Sequence, residues 1–147
     1  MRRILLVTAM VLFPAAGRAC TVLAPFAVET LPTADIILVG EVTSFEMMVE
    51  RPGAALVSVR VTEVIKGRAG EDMVLVWNGG LASGPHEEAA KGSVLIGAAN
   101  PGRAVPELSQ DARQDLPMIL QPLCGVASIR PATRALIAEV KALVAPS

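Results

Sequence analysis

Few side chains in this 147-residue sequence could carry chemistry. They are two cysteines, Cys20 and Cys124, one histidine, His86, and the carboxylates Glu87 and Glu88 that follow it in "GPHEEAAKG". An imidazole beside carboxylates suits general acid–base work, and an imidazole with thiols suits a metal. Neither pattern is complete. Zinc takes three or four protein ligands, and one histidine with two cysteines expected to be bridged does not supply them. Glu87 and Glu88 are adjacent in a glycine-rich stretch, the pattern of a solvated surface more than of a paired acid and base. "GGLASG", residues 79–84, lacks the Lys-Ser or Lys-Thr of a phosphate loop, and no Gly-x-Ser-x-Gly elbow occurs. These residues point to a non-enzymatic protein with no cofactor and no resident metal.

Cys20 holds the remaining chemistry. It follows "GRA" behind a short apolar run, so three roles are open: half of a disulfide, a lipid attachment point, or a mature N-terminus presenting its α-amine. Residues 1–19 read as a secretory signal. Arg2 and Arg3 give the positive start, Ile4 to Phe13 the apolar stretch, and Gly17 and Ala19 the small residues of a cleavage site. The apolar stretch is about half the roughly 20 residues a bilayer crossing needs, and no later run is long enough. A lipobox wants Leu where Gly17 stands and a small residue where Arg18 stands, which disfavours lipidation. The expectation is a soluble exported chain, periplasmic or extracellular, beginning at Cys20 and forming one domain over residues 20–147.

Losing Arg2, Arg3 and Arg18 from 13 basic side chains, against 14 acidic ones, leaves a net charge of about −4. Such a balance gives no footprint for a phosphate backbone. Phe26, Phe45 and Trp77 are the aromatic residues after the signal, too few for a base-stacking platform. Nucleic acid is therefore not an expected partner. An even cysteine count in an exported chain argues for a Cys20–Cys124 bridge.

The elements that must position these residues are strand-rich first and helical last. "ADIILVGEVTSF", Ala34 to Phe45, reads as a strand whose first half is almost continuously apolar. "ALVSVRVTEVIKG" alternates, with Val57, Val59, Val61 and Ile65 on one side and Ser58, Arg60 and Thr62 on the other. The polar, glycine-bearing 66–72 stretch predicts a hairpin into "MVLVWN". Residues 79–92 show no period and read as a mobile loop. "SVLIGAA" is another strand, the proline-bearing 100–117 stretch is loop-like, and "MILQPLCGVASI" returns to strand character. Leu136, Ile137, Val140, Leu143 and Val144 fall at helical spacing behind Thr133, an N-cap. About five strands and a closing amphipathic helix predict a mainly β chain, a small barrel or sandwich.

In order, these segments resemble the tissue-inhibitor-of-metalloproteinase-like, or netrin-module, family, and in particular its small bacterial exported members. The pieces that carry the resemblance are the cysteine after the signal, Ala34-Asp35 opening a strand, "VIKG" at Val64 to Gly67, "KGSVLIGAANPG", and "LCGVASI" before the helix. The resemblance implies a five-stranded oligonucleotide/oligosaccharide-binding-type (OB-type) barrel with helical cover. It also implies a protein partner, a zinc metalloprotease, whose catalytic zinc is chelated by the α-amine and carbonyl of Cys20 while Thr21 points to the specificity pocket. An envelope interaction module without inhibitory activity is the alternative. The sequence departs from the inhibitory members at Val22, which stands where they carry a second cysteine, and it has no cysteine between Trp77 and Leu81.

Overall fold

The structure, a computed structural model, describes residues 24–79, 84–102, 115–122 and 124–145. Six strands and one α-helix lie among them: β1 (Ile36–Met47), β2 (Ala54–Lys66), β3 (Asp72–Asn78), β4 (Ser93–Ala99), β5 (Met118–Ile119), β6 (Ile129–Pro131) and α1 (Arg134–Val144). β1 pairs antiparallel with β2 on one edge and with β4 on the other, β2 with β3, and β4 with β5. β5 returns parallel to β3 through Val76 and Met118, which closes a five-stranded mixed barrel of OB type. β6 continues along the β4 edge opposite Val94–Ile96. The "MILQPLCGVASI" stretch thus forms two short strands separated by a loop.

The apolar run at the start of β1 reflects burial on both faces. Ile36 and Leu38 turn into the barrel with Val57, Val59, Leu75, Trp77, Val94 and Ile96. Ile37 and Val39 turn outward into a second core with Leu31, Leu95 and Val140. A strand buried on both sides loses the alternation of a half-exposed one.

Alternation along β2 is interrupted. Gly40 faces Val61 and Val39 faces Glu63, which leaves Thr62 as an extra residue; Leu38 faces Val64 and Ile37 faces Lys66, which leaves Ile65 extra. Each is a β-bulge, one residue unpaired and the strand coiled more sharply. Ile65 therefore packs in the outer core and not with Val57 and Val59, correcting the single face that the alternation predicts. Gly40 sits at this coil, and a Cβ there would overlap the Val59 side chain and the Arg60 carbonyl.

The outer core is covered by α1 and by a 3-10 helix at Val28–Thr33 that the sequence pattern did not signal. Thr133 caps α1, its Oγ1 accepting from the Leu136 amide at 3.2 Å. Val140 is fully buried, with Leu136, Ile137 and Val144 around it. Leu143 departs from the expected stripe at 42% exposure. Lys141 pairs with Glu63 at 2.5 Å, tying α1 to the bulged part of β2.

Lys66 joins the end of β2 to the start of β1. Its Nζ donates to the carbonyls of Pro32 at 2.6 Å and Ala34 at 2.7 Å, the end of the 3-10 helix. Gly67, at φ +79°, lies so close to the Asp35 carbonyl that a Cβ would overlap it. Asp35 in turn accepts the Asn100 amide at 2.9 Å. The "VIKG" and Ala34-Asp35 segments are thus one contact in space.

Candidate functional site at the anchored N-terminal segment

Trp77, at the inner end of β3, is 2% exposed. A buried indole N–H needs an acceptor, and Nε1 donates to Gln121 Oε1 at 2.9 Å. Gln121 Nε2 donates to the Gly125 carbonyl at 3.2 Å. Gly125 forms a parallel bridge with Ala24, the first described residue. The Ala24 amide donates to the Cys124 carbonyl at 2.8 Å, and the Val126 amide donates to the Ala24 carbonyl at 3.3 Å. A hydrogen-bonded path thus runs from the barrel interior through the 121–126 loop to the chain's N-terminal segment. Phe26 follows, with the Arg130 guanidinium 5.4 Å from its ring centre, so the segment is held at two points.

Cys20 and Thr21 lie outside the described residues, as does the expected bridge between Cys20 and Cys124. Cys124 itself is half-buried beside Ala24, and among the described residues no cysteine is free. Ala24 stands four residues after Cys20 in the sequence.

Of the 79–92 stretch, residues 79 and 84–92 are described, and they include an element that the composition does not signal. Glu87–Ala90 forms a turn of 3-10 helix, and Ala90 is 2% exposed in the barrel core. Exposed His86 leans on Trp77 with ring centres 5.6 Å apart, and Phe45 meets the same indole edge-on at 6.5 Å. Residues 84–92 are thus tied to the barrel by Ala90 in the core and by the His86 contact with Trp77. Residues 80–83 are outside the described set. Glu87 and Glu88 do not converge with His86 on a common point. Both reach Lys91, Glu88 at 2.6 Å and Glu87 at 4.0 Å. The Lys91 hydrogen bond and charge hold the Glu88 carboxyl below its ordinary range, and Glu88 raises Lys91 in the same way. Both groups are fully exposed, so this surface pair contributes little to stability.

A second feature escapes a sequence reading. Asn78, at the end of β3, is 6% exposed, and its position before two glycines reads as an ordinary turn signal. Its Nδ2 donates to Met118 Sδ at 2.9 Å, while its Oδ1 is buried without a hydrogen-bond partner. It borders a cavity of about 230 Å3 with Arg51, Pro52, Gly53, Gly79 and Gly84.

Among the described residues, no group of three or more His, Cys, Asp or Glu could hold a metal ion, and no helix is long and apolar enough to cross a membrane. This region seats the main chain at Ala24 and the Phe26 side chain on the barrel. No protein-family model matches the chain, and no curated protein is significantly similar to it.

Proposed function

We infer that the protein is an exported, non-enzymatic protein-binding module of the tissue-inhibitor-of-metalloproteinase type. Its processed N-terminus, Cys20 followed by Thr21, inhibits a zinc metalloprotease. The observation that carries this reading is the seating of Ala24 between Cys124 and Val126, which ties the N-terminal segment to the closed barrel. A peptide element anchored before binding loses less conformational freedom when it enters a cleft. An α-amine has an ordinary pKa near 8, so a sizeable neutral fraction exists at neutral pH, and zinc displaces the remaining proton. Amine and adjacent carbonyl then close a chelate ring on the metal. Thr21 fills the neighbouring pocket.

The test compares the processed protein with a variant carrying one Ala before Cys20, against a panel of zinc endopeptidases, after mass spectrometry has established each N-terminus. The extension leaves the barrel intact and displaces the amine, so inhibition should fall steeply while the melting temperature stays within a degree or so of the parent, the shift of a surface change of about 0.5 kcal/mol or less. Thr21→Gly should weaken inhibition less, since it removes pocket contacts and spares the chelate. Equal inhibition by parent and extended proteins, or none from a correctly processed parent, rejects chelation and leaves an envelope interaction module as the reading.

A further inference from the structure

We propose that Gln121 is a positioning residue for the N-terminal segment: acting through the Gly125 carbonyl, its side-chain amide holds the main-chain seat on which Ala24 rests. The functional consequence rests on the inhibitory reading, because that segment leads to Cys20 and Thr21. The geometry does not depend on that reading.

The first observation is how the seat is built. The parallel bridge between Ala24 and Gly125 uses groups of the residues on either side of Gly125: the Ala24 amide donates to the Cys124 carbonyl at 2.8 Å, and the Val126 amide donates to the Ala24 carbonyl at 3.3 Å. The amide and carbonyl of Gly125 itself therefore face away from Ala24. That amide donates to the Pro122 carbonyl at 2.9 Å, and that carbonyl accepts Gln121 Nε2 at 3.2 Å. Gly125 is buried, and a Cβ there would overlap the Pro122 ring. The seat is thus braced from behind, by a turn and by Gln121. The base of the same loop is fixed to β4: the Leu120 amide donates to the Gly97 carbonyl at 2.9 Å, the Gly97 amide to the Ser128 carbonyl at 2.8 Å, and the Ser128 amide to the Leu120 carbonyl at 2.7 Å. With both ends pinned, contacts inside the loop set where Cys124 to Val126 lie.

The second observation is the chemistry of the side chain that does this. An indole N–H only donates and a main-chain carbonyl only accepts, so the group between Trp77 and Gly125 must end in one acceptor and one donor. Gln121 does, with Oε1 at 2.9 Å from the indole nitrogen and Nε2 on the carbonyl, and the two partners fix which way round the carboxamide lies. An ionised glutamate ends in two acceptors, and a methionine of similar length in neither a strong donor nor a strong acceptor. The Trp77 end is rigid, since the indole is 2% exposed in the barrel core. Gln121 therefore transmits that rigidity to the seat of Ala24. A segment held in place before it enters a cleft gives up less freedom on binding. Gln121 and Gly125 each interact further within the chain, so losing this contact loosens the seat without abolishing the loop.

The experiment is amide hydrogen exchange followed by NMR on the processed protein and two variants. Gln121→Glu keeps an acceptor for the indole and sets a second acceptor against the Gly125 carbonyl. Exchange of the Ala24 and Val126 amides should quicken at least about tenfold, the scale of one lost hydrogen bond, because the seat opens locally. The Trp77 indole proton should keep its chemical shift and the β4 amides their rates. A merely structural role would move all of these together. Gln121→Met, uncharged and of similar length, removes both contacts; it should quicken the same two amides and also shift the indole proton, and it decides the matter if the charged variant fails to fold. Against a zinc endopeptidase that the parent inhibits, Gln121→Glu should inhibit about tenfold more weakly, with Cys20 and Thr21 unchanged. Unchanged exchange at Ala24 and Val126, acceleration matched by the β4 amides, or equal inhibition by parent and variant overturns the proposal. A parent that inhibits nothing removes the inhibitory reading, and the exchange rates then decide by themselves whether Gln121 positions the segment.

Discussion

Lys66 is the residue whose removal should be felt most widely. Its ammonium is the donor to two carbonyls at the end of the 3-10 helix, and both lie where β1 begins. Hydrogen bonds to a charged donor are worth roughly 1.5–3 kcal/mol each, and a stranded buried carbonyl costs about as much as the bond it loses. Lys66→Met keeps the length of the side chain and removes the donor, so denaturant unfolding should show a loss of about 2–3 kcal/mol. A loss under about 0.5 kcal/mol, the range of ordinary surface substitutions, would mean that water replaces the ammonium without difficulty. His86 differs from Lys66 in degree: it is exposed, and its side chain is held by a ring contact with Trp77 and a local hydrogen bond between Nδ1 and the Gly84 carbonyl at 3.1 Å. His86→Ala should therefore cost no more than about 0.5–1 kcal/mol, the increment of one aromatic pair. A loss above 2 kcal/mol would show that the Glu87–Ala90 turn depends on it.

Among the elements, β1 does the most. It pairs along both edges and buries both faces over its first half. That demands sharp coiling, which the two bulges on β2 and the bare Gly40 provide. Gly40→Ala places a methyl group against Val59 and the Arg60 carbonyl. The expected cost is about 1–3 kcal/mol, the range for overpacking a well-filled site, measured as a drop in the unfolding midpoint with an unchanged m-value. An unchanged midpoint would show that β1 and β2 can part locally without loss. Helix α1 is less demanding, since it closes the outer core with Leu136, Ile137, Val140 and Val144 and is started by the Thr133 cap.

For the whole molecule, the question is how the N-terminal segment stays on the barrel. Two main-chain hydrogen bonds at Ala24 and the Arg130–Phe26 contact hold it among the described residues. A Cys20–Cys124 bridge would add a covalent restraint whose loop of about 100 residues contributes roughly 4–5 kcal/mol in the loop-entropy treatment. Thiol counting in denaturant on protein freshly purified under oxidising conditions should find none free, and reduction should lower the melting temperature while the β spectrum persists below it. Two reactive thiols before reduction would remove the bridge and, with it, the strongest restraint on the proposed inhibitory end.

Local patterning in the sequence determined much of this fold. Alternation along "ALVSVRV", the hairpin at residues 66–72, the apolar run from Ile36 and the Thr133-led stripe all follow from side-chain period and capping, which act within a few residues and are legible without tertiary contacts. Lys66 and Gly67 bring the "VIKG" end of β2 against Ala34 and Asp35 at the start of β1. Closure of the barrel was decided only in three dimensions. The β3–β5 pairing joins Val76 to Met118 through a parallel bridge too short to leave a period, and the bulges at Thr62 and Ile65 moved Ile65 to the outer core against its alternation. The candidate sites were less legible still. Gln121 and Asn78 have no neighbours in sequence that announce them; their roles arise because Trp77 and Met118, 44 and 40 residues away, are brought to hydrogen-bond distance. A lone amide in a sequence carries no sign of whether its partners will arrive, and at Asn78 only one of them did.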